Sequence, residues 1–85
     1  MYKIKLSNNV VKQLDKLDKS TYLRIYNKMQ SLKENPRPIG SIKLTNADGY
    51  RIRTGDYRIL YEINDKEVFV FIFNIMHRKE VYRKN

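Results

Sequence analysis

Eighteen Lys and Arg against nine Asp and Glu give this 85-residue chain a formal charge of +9, and it has no cysteine. A chain this short supports one domain, here residues 1–85, and buries only about 60–65% of its extended surface, so any site lies on the surface or in a shallow groove. The sequence offers no disulfide framework, no apolar run of the roughly 18 residues a membrane span needs, and no signal-peptide core after Met1-Tyr2-Lys3, and it reads as soluble and cytoplasmic. So much positive charge on so small a body attracts polyanions, which makes nucleic acid the leading partner class, ahead of acidic proteins and membrane headgroups.

Taken in chain order, Tyr2 to Leu6 alternates apolar and basic residues, so Tyr2, Ile4 and Leu6 share one face of a half-buried strand. Ser7 offers an N-cap, and Val10, Val11, Leu14 and Leu17 follow at the spacing of a helical stripe, with Lys12, Asp15 and Lys16 on the wet side. After the polar break Asp18-Lys19-Ser20, Tyr22, Ile25, Tyr26, Met29 and Leu32 form a second stripe. It ends at Asn35-Pro36, where proline disfavours further helix. Residues 36–46 read as a loop that carries Lys43 and Leu44 toward the next strand.

The second half is strand-like. Tyr50 to Thr54, Tyr57 to Ile63 and Val68 to Ile75 are rich in aromatic and β-branched residues and are separated by Gly55-Asp56 and Asn64-Asp65. The third run is apolar on both faces and should lie centrally, with the N-terminal strand as its second neighbour. The expected fold is α+β: a strand, an antiparallel two-helix hairpin and a three-stranded meander, making a sheet of about four antiparallel strands.

Gly55-Asp56, read as a two-residue type II′ turn, fixes the register of the first hairpin. Thr54 pairs with Tyr57, Arg53 with Arg58, Ile52 with Ile59, Arg51 with Leu60 and Tyr50 with Tyr61. One face then carries Tyr50, Ile52, Ile59 and Tyr61 toward the helices. The other carries Arg51, Arg53 and Arg58, with Arg53 and Arg58 directly opposed, an arrangement that destabilises unless an anion lies between them. A solvated outer sheet face is the alternative.

The strand-helix-helix-strands order, the block from Gly49 to Tyr61 and the closing run His77-Arg78-Lys79-Glu80-Val81-Tyr82 resemble the RelE/ParE superfamily of toxins, and RelE-type members in particular. The resemblance covers nearly the whole chain. It implies a toxin silenced by a cognate antitoxin whose extended segment wraps it. For RelE-like members it also implies cleavage of messenger RNA in the ribosomal A site, by attack of a ribose 2′-hydroxyl on the adjacent phosphate and without metal.

By that resemblance Arg51 and Arg53 match the two basic strand positions, Arg58 the phosphate-clamping arginine, Arg78 the C-terminal arginine and Tyr82 the base-stacking tyrosine. Arginines suit bidentate phosphate contacts and can stabilise a pentavalent phosphorus, and an aromatic ring can hold a splayed base. Lys43 joins the RNA-binding set. Type members often carry lysine where this chain has Arg51 and Arg53, and a guanidinium rarely exchanges a proton. His77, the one histidine and so the one side chain of a type that exchanges protons readily near neutral pH, is therefore the candidate to take the 2′-hydroxyl proton. One histidine and dispersed carboxylates leave no expected metal site, and the sparse glycines leave no nucleotide-binding loop and no cofactor. Two other readings share this fold: a ParE-like inhibitor of DNA gyrase that binds protein and cuts nothing, and a nucleic-acid-binding module without turnover.

Overall fold

The structure, a computed structural model, describes residues 1–79. Its elements are β1 (Lys3–Leu6), α1 (Asn8–Asp15), α2 (Lys19–Ser31), β2 (Ile42–Lys43), β3 (Tyr50–Thr54), β4 (Tyr57–Asn64) and β5 (Phe69–His77). Ser7 turns strand into helix: its hydroxyl accepts the backbone N–H of Val10 at 3.1 Å, satisfying a donor that a helix start leaves open. Val10 and Leu14 of α1, Ile25 and Met29 of α2, and Leu32 just beyond it are buried. They meet Ile52, Ile59, Tyr61, Val70, Ile72 and Ile75 of the sheet in one core.

The helical stripes are narrower than their spacing implies. Val11, Tyr22 and Tyr26 are exposed rather than core. Tyr22 and Tyr26 stack on each other at 5.9 Å beside an apolar groove of about 510 Å³ between β1 and α2.

The strands order β1-β5-β4-β3-β2. The β3–β4 register matches every expected pair, from Tyr50 with Tyr61 to Thr54 with Tyr57, and β5 has β1 as its second neighbour. Two features differ from a four-stranded antiparallel sheet. Residues 42–43 form a fifth strand, antiparallel to β3, and β1 runs parallel to β5. The two are linked, because β2 supplies one more reversal of chain direction than the sequence reading included. A two-residue strand is too short to show an alternation pattern, which is why it reads as loop.

A bulge between Leu60 and Tyr61 sets two partners, Asn74 and Ile72, against adjacent residues, so Phe73 is the extra residue of β5. It shifts the phase of the strand: Val70 and Ile72 are buried before it and Ile75 after it. The β1 ladder ends at Leu6–Ile72, and Gln13 of α1 continues it with a side chain. Its amide donates to the Ile75 carbonyl at 2.7 Å and accepts the Ile75 N–H at 3.0 Å.

The loop after α2 is anchored at its base. The Tyr61 hydroxyl donates to the Pro36 carbonyl at 2.7 Å, and burial pushes its pKa up to about 12, so it remains a donor. Arg37 pairs with Asp65 at 2.9 Å and donates to the Tyr50 hydroxyl at 3.0 Å, while the Tyr2 hydroxyl donates to Asp65 at 2.6 Å. Arg37, and then Tyr2, hold the Asp65 carboxyl below the ordinary carboxylate range.

Gln13→Ala removes both hydrogen bonds to Ile75 and should cost about 1–3 kcal/mol. Urea unfolding would show a lower midpoint at unchanged slope; an unchanged midpoint would mean that Gln13 does not close the ladder.

Candidate nucleic-acid interface

The site begins at the β3–β4 turn. Gly55 has φ +60° and Asp56 a negative φ, the type II′ combination that matches the twist of the flanking strands. A side chain at Gly55 would be strained by that φ and would come within 2.8 Å of an Arg24 guanidinium nitrogen. Arg24, from α2, therefore lies against the turn.

The turn's register puts Arg53 opposite Arg58. Like charges so opposed destabilise an antiparallel pair. Arg78 arrives from the end of β5: its backbone N–H donates to the Asp56 carbonyl at 2.6 Å, and its guanidinium lies 3.9 Å from the Asp56 carboxylate. Together with the turn, Arg53, Arg58 and Arg78 line a cleft of about 280 Å³, in which Asp56 is the one carboxylate among the described lining residues. Arg51 is one step along the same face of β3, opposite Leu60, and faces an adjoining groove that Arg53 and Arg58 also line. Among the described residues no three histidine or carboxylate side chains converge, so the charge of an anion in the cleft is met by guanidinium groups.

Four of the expected site residues, Arg51, Arg53, Arg58 and Arg78, thus share one surface. Two others do not join them. His77 pairs with Tyr57, one position out of register with Arg58–Met76, and so belongs to the helix-covered face. Its ring meets the Tyr57 ring edge-on at 4.8 Å, beside Leu17 and Ile75, and its Nδ1 accepts the Lys79 N–H at 3.0 Å. Lys43 pairs with Tyr50 and holds its ammonium 5.4 Å from that ring, on the face opposite the arginines. Tyr82 lies outside the described residues.

Sequence reasoning passed over Arg24, Lys28 and Asp56. Arg24 and Lys28 stand four residues apart on α2, a spacing that puts both on one helix face and was the available signal. Asp56 was read solely as a turn residue.

Residues 4–82 match the family described as the ParE toxin of type II toxin–antitoxin systems. The chain belongs to the RelE/ParE toxin superfamily. It is 33% identical to toxin RelG of Mycobacterium tuberculosis (strain ATCC 25618 / H37Rv) over 54 residues, and this match spans 62% of either chain. It is similar to the archaeal RelE in the RelE–RelB complex of Pyrococcus horikoshii OT3, with TM-score 0.77 and 32% identity over 91% of this chain and 94% of that one. It is also similar to the isolated E. coli RelE toxin, with TM-score 0.80 and 27% identity over 98% and 93%. The family description carries the ParE name and these relatives carry Rel names, so the name alone does not choose between the branches; the residues of the site must.

If Arg53 and Arg58 repel each other in the free protein, Arg53→Thr, which removes the charge and suits a strand, should raise the melting temperature by up to a few degrees at low ionic strength, and the part of the gain due to charge should shrink as salt is added. A lower melting temperature would show that the pair is structural.

Proposed function

We propose that this protein is the toxin of a type II toxin–antitoxin pair and an endoribonuclease that cuts messenger RNA in the ribosomal A site. The observation that carries this reading is the convergence of Arg53, Arg58 and Arg78 on one cleft from three separate parts of the chain. Nothing in the packing requires three cations there, whereas a phosphodiester neutralises them. In the step we propose, the 2′-oxygen of one nucleotide forms a bond to the neighbouring phosphorus while the bond to the 5′-oxygen of the next nucleotide breaks. This leaves a 2′,3′-cyclic phosphate and a 5′-hydroxyl. Arg53 and Arg58 straddle the phosphate and stabilise the extra charge of the pentavalent state, with Arg78 at the turn and Arg51 on the adjoining backbone. Guanidinium groups stay charged, so their part is electrostatic. The 2′-hydroxyl proton passes to water or to a group brought by the ribosome, and the departing 5′-oxygen takes a proton from the same source to become the 5′-hydroxyl. No step is routed through His77, given its place beside Tyr57. Tyr82 remains the proposed stacking partner of a splayed base. No metal takes part.

The proposed protein partner is a cognate antitoxin, acting with the toxin in the cytoplasm. Solved relatives are complexes with RelB, and the apolar groove beside Tyr22 and Tyr26 suits an amphipathic segment. A second reading, gyrase inhibition, is favoured by the family description and predicts a different target.

The test is brief induction in bacteria with messenger RNA ends mapped by primer extension, beside a gyrase supercoiling assay on purified protein. The nuclease reading predicts new cuts inside translated frames, lost in Arg58→Ala, and normal supercoiling. Intact transcripts with blocked supercoiling would move the chain to the gyrase branch.

A further inference from the structure

The arginine cleft does not end at Arg53. Strand β2 pairs with Tyr50 and Arg51 alone, so residues 52–54 of β3 have no strand beside them on that edge among the described residues. The space is flanked by α2 and by the loop after it. There Lys28, Ile39 and Ile42 join Arg51, Arg53 and Arg58 around a groove of about 460 Å³, with no carboxylate among its described lining residues. That volume falls within the range of small-ligand sites, roughly 300–1,000 Å³. Ile39 is 105% exposed and Ile42 50%. Full exposure of an isoleucine is not the mark of a loose loop here, because the loop base is tied by Tyr61 to Pro36 and by Arg37 to Asp65.

We infer that this groove is a second nucleotide subsite, in which Ile39 and Ile42 support the face of the base next to the cut phosphate while Lys28 and Arg51 hold that nucleotide's backbone. The inference rests on the nuclease reading and deepens it. Single strands are held with little sequence readout by flat side chains against their bases and cations on their phosphates, and here the aliphatic Ile39 and Ile42 offer the base an apolar surface in place of a ring. Continuity decides in favour of RNA over an acidic peptide: Arg53 and Arg58 line both the cleft and the groove, so a strand whose phosphate occupies the first has its neighbour in the second. A peptide added as a strand would find three open residues on β3, bounded by the Gly55 turn and β2, fewer than the usual five or six.

Cleavage of a defined message in a purified translation system, with rates taken against message concentration and ends mapped, separates the possibilities. Ile39→Ala, which removes apolar support from the base, and Lys28→Ala, which removes a phosphate contact, should each lower kcat/KM about fivefold, below or at the low end of what losing an aromatic stacking partner removes. The loss should fall in KM with kcat within about twofold. Ile39→Asp, which replaces the apolar support with a carboxylate that repels the strand's phosphates, should lose more than Ile39→Ala, and melting curves confirm that each variant is folded. Cleavage by the wild type with unchanged KM in these variants would overturn the subsite and leave the groove to a protein segment. Absence of cleavage by the folded wild type would instead overturn the nuclease reading itself, and the subsite with it.

Discussion

Two arginines stand directly opposite each other on β3 and β4, and much of the rest of the molecule can be understood as holding them there. Arg53 and Arg58 are paired by a turn that only a residue at ease with positive φ can make, and Gly55 supplies it. A one-residue slip of either strand would turn that strand's arginine into the core face and bring its isoleucine, Ile52 or Ile59, out to water. The core therefore enforces a contact that electrostatics alone would open: burial of Ile52, Ile59 and Tyr61 outweighs the repulsion of one like-charged pair. A like-charged pair held in this way suits a site that is to hold an anion, because an anion between the two charges offsets their unfavourable opposition.

The surrounding elements extend this arrangement in two directions. Toward the C-terminal side, the β5 bulge sets the phase in which Ile75 faces the core and Met76 lies opposite Arg58, and Arg78 then closes on the turn through Asp56. Gln13 secures that end of β5 where β1 has stopped. Toward the edge, the stop of β2 after one pair beyond Tyr50 leaves β3 open where Lys28 and Ile39 stand. Basic residues of four separate segments thus form one surface from Lys28 to Arg78. The helices contribute to it as well as covering the core.

Much of this was legible in the sequence, and the parts that were not have identifiable causes. The hairpin register followed from one glycine and a period of two, and with it the shared face of Arg51, Arg53 and Arg58. The central place of β5 followed from its two apolar faces. The short strand β2 carried no pattern, and with it went the parallel sense of β1. The placement of His77 was hidden by the bulge: neighbours on a strand alternate faces, and the extra residue Phe73 decides that His77, not Arg78, is the one that turns toward the helices. Tyr22 and Tyr26 fit a helical stripe yet stay exposed, since an 85-residue chain lacks a second layer to cover that flank of α2. Lys28 sat on a helix face that composition alone reads as solvated.

The central claim is that Arg53 and Arg58 act on one phosphate. It is tested most directly by a double-mutant cycle on the single-turnover rate of message cleavage on programmed ribosomes, using Arg53→Ala, Arg58→Ala and the pair together. Two groups serving the same charge should be strongly non-additive, with the double variant losing clearly less than the product of the single losses. Losses that multiply would place the two arginines on separate parts of the RNA and contradict the account.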